Sequence, residues 1–240
     1  MPNVFCPSFV RRSLLTVATL VFAASACAQV TAPVTLLDRT LSHLDLGVSG
    51  VGEFTNTVTG TVSAPGSYNY GTTLTQKPST TLGALVTIRY TKSPLVGFEF
   101  NYGYARYTQN FSVPAGQVSP LTGLAVSSPI NGGAQTNASE YSLGYIAHTP
   151  KILGIRTFAS AGAGVNAFRA TPNGGQGLPT QARALYYYDA GVESSISAHF
   201  GLRAQFRQVF FLAPDFGQNY LTIKQRQITT EPGVGFYIHF

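Results

Sequence analysis

The last eight residues, Gly233-Val234-Gly235-Phe236-Tyr237-Ile238-His239-Phe240, constrain this chain more than any other segment. Alternation puts Val234, Phe236, Ile238 and Phe240 on one face of a strand, and Gly233, Gly235, Tyr237 and His239 on the other. A sheet in water gains nothing by exposing such an apolar row up to its final residue. A strand whose outer face meets hydrocarbon gains from every member of the row.

The opposite end has the layout of an export signal. Arg11 and Arg12 precede an apolar run from Ser13 to Ala24, too short for a membrane helix, and Ala26-Cys27-Ala28 offers small residues for cleavage. The expected division is a signal peptide over 1–28, a periplasmic lead-in over 29–42 and one domain over 43–240. Lipoprotein processing before Cys27 is the alternative. Both cysteines, Cys6 and Cys27, lie within the signal, so cleavage after Ala28 leaves no disulfide, thiolate metal site or cysteine nucleophile.

Beyond the signal no segment reaches 18 apolar residues, although only 10% of the chain is charged. Helical spans are thereby excluded, whereas strands need only alternate residues to be apolar. The formal charge of +6 falls to +4 when Arg11 and Arg12 leave, and the remaining basic residues are dispersed. Nucleic acid is therefore not an expected partner.

Period-two alternation predicts eight strands, over 44–56, 81–91, 96–109, 137–148, 154–169, 184–196, 200–212 and 227–240. Pro232 removes a ladder donor from the last, which places it near the strand's outer end or at a bulge. The connections alternate in length. Three are short: 92–95, 149–153 and 197–199. Four are long and polar: 57–80, 110–136, 170–183 and 213–226. Short turns on one side and long loops on the other are the pattern of an antiparallel up-and-down transmembrane β-barrel with both termini in the periplasm.

Seven acids fall on the inward parity: Asp45, Glu53, Glu99, Glu140, Asp189, Glu193 and Glu231. Arg89, Arg156, Arg203 and Arg207 join them. A charge facing lipid at mid-membrane costs roughly 2–4 kcal/mol, whereas a closed interior lets carboxylate and guanidinium pair. Two readings of this lumen network stay open. It fills and locks the interior, or it lines a polar or gated conduit. Eight strands favour filling, since such an interior holds side chains or one small ligand. Outward tyrosines and phenylalanines, among them Tyr90, Tyr102, Tyr141 and Phe206, suit the membrane interface.

No catalytic pattern is present. His43, His148, His199 and His239 sit at the expected periplasmic ends, without a serine, acid or second histidine at triad or metal spacing. No enzyme activity, cofactor or metal site is expected.

On these residues the chain resembles the OmpA-like eight-stranded outer-membrane barrel proteins, over about 44–240. Gly235, Ile238 and Phe240 are similar to the terminal signal read by the barrel-assembly machinery. The soluble cell-wall-binding domain of longer relatives has no counterpart. The resemblance implies a non-enzymatic surface protein in the outer membrane of a Gram-negative-type bacterium. Its expected partners are outer-membrane lipid and lipopolysaccharide, the assembly machinery, periplasmic chaperones, and an extracellular ligand at the four loops. A narrow channel or carrier for small, hydrophobic molecules, resembling the OmpW group, is the alternative. The inward apolar residues Leu85, Ile146, Phe158 and Phe168 are too few to decide between them.

Overall fold

A computed structural model describes residues 40–240 except 121, 122, 124, 126, 127 and 153. The expected signal peptide and lead-in residues 29–39 lie outside the described residues. Among the described residues ten strands follow one another: β1 (Leu44–Thr55), β2 (Val58–Thr61), β3 (Thr73–Pro78), β4 (Thr81–Tyr90), β5 (Val96–Val113), β6 (Ile130–His148), β7 (Ile155–Ala170), β8 (Gln181–Ser195), β9 (Phe200–Leu212) and β10 (Arg226–His239). Eight of them close into an antiparallel barrel in the order β1-β4-β5-β6-β7-β8-β9-β10. β10 returns to β1 through Asp45–His239 to Thr55–Thr229. The expected eight-stranded closed barrel is the observed fold.

Every predicted strand forms, because alternation matches side-chain chemistry to two different surroundings. The outward parity is apolar and unburied: Tyr145 is 70% exposed and Val234 69%. So continuous an apolar belt exceeds what soluble monomers leave in water. The inward parity carries the acids, arginines and glycines.

Two regions expected as plain loops are partly strand. Segment 57–80 contains the β2–β3 hairpin, and β3 pairs with the upper part of β5 from Thr75–Ser112 to Pro78–Gln109. Segment 110–136 is shortened because β5 and β6 stay paired up to Val113–Ile130. Gly132 and Gly133 therefore lie within β6, where the ladder overrides their turn preference.

Pro232 also departs from expectation. It lies mid-strand, outward-facing, and the register of β1 on β10 is the same on both sides of it, Val51 with Gly233 and Phe54 with Thr230. No residue is inserted, so there is no bulge. The ladder lapses across Gly52 and Glu53, while Pro232 remains paired with Phe206 of β9. The missing donor is absorbed as one gap in a single seam.

The start of β1, the end of β10 and the short turns share one end, here the turn end. At the loop end Val58, Val62 and Leu74 meet Phe216, Leu221 and Ile223 over Phe168, Leu185, Val209 and Phe211, forming the apolar core.

Candidate functional site

The interior is the candidate site. From the turn end it opens as a vestibule of about 580 Å³, lined by His43, Asp45, Arg156, Glu193, Tyr237 and His239. Asp45 is paired there with His239 and takes no part in the deeper network.

The first charged layer centres on Glu193, which accepts hydrogen bonds from Arg89, from Arg203 Nε (3.0 Å) and from Arg156 Nη2 (3.1 Å). Arg89 also reaches Glu99 at 3.0 Å and lies over the Phe158 ring, 4.7 Å from its centroid. Glu99 accepts from the Tyr187 hydroxyl (2.9 Å) and from Asn101 Nδ2 (3.2 Å). Ser160 bridges Glu99 and Asp189. His148 Nε2 stands 3.8 Å from Glu193, too far for a hydrogen bond.

The second layer centres on Arg207. Its two terminal nitrogens engage both oxygens of Glu140, and Nη1 also reaches Glu231 at 2.9 Å. This fork-to-carboxylate geometry is the strong form of the contact. The guanidinium stacks on Tyr187, 4.3 Å from the ring centroid. Beside it, Glu53, Tyr107, Asn166 and Glu231 help line a cavity of about 20 Å³, room for a single water.

Arg89, Glu99, Arg156, Asp189, Glu193 and Arg203 thus form one group. Glu140, Arg207 and Glu231 form another, with Glu53 across the cavity and Asp45 apart at the mouth. The sequence reading did not single out Tyr187, which joins the groups through its hydroxyl and its ring. Its signal was available: it is the inward member of Tyr186-Tyr187-Tyr188. The apolar plug was also missed, because Phe216, Leu221 and Ile223 sit without period in a segment read as a polar loop. The terminal trio is placed as follows: Ile238 and Phe240 face outward, and Gly235 faces inward at the closing seam. A Cβ on Gly235 would stand 2.2 Å from the Val48 carbonyl oxygen, so only glycine fits.

The plug is fastened by polar contacts. Gln181 Oε1 accepts from the amides of Asp215 and Phe216, both at 2.9 Å. Asp215 binds Arg183 at 2.8 Å and accepts from Gly217 and Thr222. Burial would raise the Asp215 carboxyl, but a hydrogen bond donated by Gln181 Nε2, those from Gly217 and Thr222, and the charge of Arg183 hold it below the usual carboxylate range. Among the described residues no group of three His, Cys, Asp or Glu side chains could hold a metal ion.

No family model and no curated protein sequence matches the chain. Among solved structures it is similar to Neisserial surface protein A, with 9% identity, a TM-score of 0.51, and coverage of 82% of this chain and 97% of that one. It is also similar to the outer membrane protein OprG from Pseudomonas aeruginosa, with 10% identity, a TM-score of 0.53, and coverage of 82% and 95%. The fold is that of a small outer-membrane barrel. At such identities the likeness extends to the fold alone.

Proposed function

We propose that the protein is a non-enzymatic outer-membrane barrel whose filled interior makes it a rigid support for its outward loops. The turn end faces the periplasm and the loop end faces outside. Two guanidinium–carboxylate layers block the lumen, and the apolar plug seals the loop end. The carrying observation is Arg207, buried completely between Glu140 and Glu231 where a conduit would have to pass. Loops held on such a scaffold present recognition residues at little cost to the fold. The proposed partners are an extracellular ligand at those loops and the surrounding lipid, with Gly235, Ile238 and Phe240 read by the assembly machinery during insertion.

The second reading, a carrier for small hydrophobic molecules, draws on the lapse of the β1–β10 ladder at Gly52 and Glu53. The cavity behind that lapse is only water-sized, which favours the first reading.

Heat-modifiable migration of the detergent-extracted chain tests the barrel. Planar-bilayer recording tests the plug: a sealed lumen gives no discrete conductance, and clear single-channel steps would overturn it.

A further inference from the structure

Charge on the surface is one-sided. The strand acids face inward, and Asp215 is paired with Arg183. Among the described residues, the exposed charges at the loop end are Lys77, Arg106, Arg169, Lys224 and Arg226, all cationic. Among the described residues, the exposed lysines and arginines at the turn end are Lys92 and Lys151.

Two of the loop-end cations form a geometric pair. Arg106 of β5 lies opposite Asn137 of β6, which lies opposite Arg169 of β7, so the three share one outward row. Two inter-strand steps put the arginine backbones about 10 Å apart, a gap that two extended guanidinium side chains close around one tetrahedral anion. Arg106 is steered by Gln135 Oε1 at 3.0 Å, and Arg169 has no polar partner among the described residues.

Directly below Arg169 the outward face of β7 is Ala167, Val165, Ala163, Ala161 and Ala159. Tyr141, Leu143 and Tyr145 of β6 stand along one side, and Tyr186 and Tyr188 of β8 along the other. The result is a shallow channel between aromatic ridges. From Ala159 to Ala167 it spans about 27 Å of strand. One leaflet's half of the hydrocarbon core is about 15 Å deep.

We propose that Arg106 and Arg169 clasp the phosphate of an outer-leaflet lipid whose acyl chain lies in the β7 alanine channel. This rests on the outer-membrane reading and names one lipid site on the barrel wall. The opposite charge of a phosphate chooses a lipid over a second copy of the chain, whose own wall at this height is also cationic. The channel below accounts for an acyl chain where a free phosphate would have no contact.

The test is native mass spectrometry of the full chain in detergent micelles. The probes are a diphosphorylated lipid A and its dephosphorylated form. The wild type should retain the phosphorylated probe roughly thirty-fold more tightly, the usual gain of a basic side chain beside an anionic surface taken twice. R106Q/R169Q should lose that preference, while K92Q/K151Q at the turn end keeps it. A163F should weaken both probes by filling the channel. Equal preference in wild type and R106Q/R169Q overturns the site, as does an equal loss in K92Q/K151Q. Lipid-independent dimers abolished by A163F would assign the channel to a second copy and overturn it as well. A chain that is soluble without detergent and lacks heat-modifiable migration would instead overturn the membrane reading itself.

Discussion

Tyr187 donates its phenolic hydrogen to Glu99 across two intervening strands, passing over Gly144 and Gly162, which occupy the same row of the barrel. A Cβ on Gly144 would stand 2.3 Å from the Tyr187 hydroxyl oxygen, and one on Gly162 would stand 2.7 Å from its ring and 2.2 Å from the Leu143 carbonyl oxygen. The two glycines are the floor on which the ring lies. Tyr187→Phe keeps the ring and removes the hydrogen bond to a carboxylate, so it should cost about 1.5–3 kcal/mol of folding stability. Gly162→Ala should cost at least about 1–3 kcal/mol by displacing the ring and crowding backbone that cannot yield. Urea unfolding in vesicles, followed by tyrosine fluorescence, reads both. A neutral Gly162→Ala would show that the ring does not cross there.

Arg207 holds two carboxylates together, so its removal should exceed the loss of any single partner. Arg207→Met leaves Glu140 and Glu231 buried and uncompensated and should destabilise the barrel by about 3–5 kcal/mol. Adding Glu140→Leu and Glu231→Leu should recover most of that loss, because the desolvation penalty leaves with the acids. A triple variant as unstable as Arg207→Met would mean that stacking on Tyr187, not charge, carries the arginine's contribution.

The apolar plug should be separable from the barrel. Phe216 is fully buried in the loop-end apolar cluster, its ring 6.5 Å from that of Phe111, and Phe216→Ala should cost about 3–5 kcal/mol of local stability. The plug rests on side chains of β5 and of β7 to β9, but the strand ladders are held by backbone hydrogen bonds that Phe216 does not make. The expected outcome is faster protease cleavage within 213–226, with heat-modifiable migration unchanged. Loss of both together would tie plug and barrel into one cooperative unit.

Asp215 gives the plug a pH dependence of known sign. Its carboxyl is held below the usual range, so it contributes stability that is fully present above the unfolded value of about 3.9. That contribution falls as pH drops through the folded value. Amide protection at Asp215, Phe216 and Gly217, taken relative to the intrinsic exchange rate at each pH, should therefore fall in acid, below about pH 4, before the strands open. Asp215→Asn should remove this acid step. Persistence of the step in the variant would assign it to another group.

How much was legible depends on the range of the interaction. Strand positions could be read locally, because each residue's polarity reports which face it takes. Asp45, Glu99, Glu193 and Arg207 could be placed inward for the same reason. Which acid meets which arginine could not be read. Glu193 meets Arg89 across the lumen, 104 residues away in sequence, and nothing local encodes that pairing. The β2–β3 hairpin was hidden in 57–80 because its short strands find a partner only when β5 extends beyond the barrel.

The residues by themselves determined a sheet with two unlike faces and an even count of barrel strands. Alternation requires that much, since hydrocarbon and lumen select opposite side chains at every second position. Only the tertiary structure decided that Arg207 is buried between Glu140 and Glu231 and that Tyr187 couples the two charged layers. It also decided that Pro232 opens the seam without a bulge. Those features depend on distances between strands far apart in the chain, which exist only once the cylinder has closed.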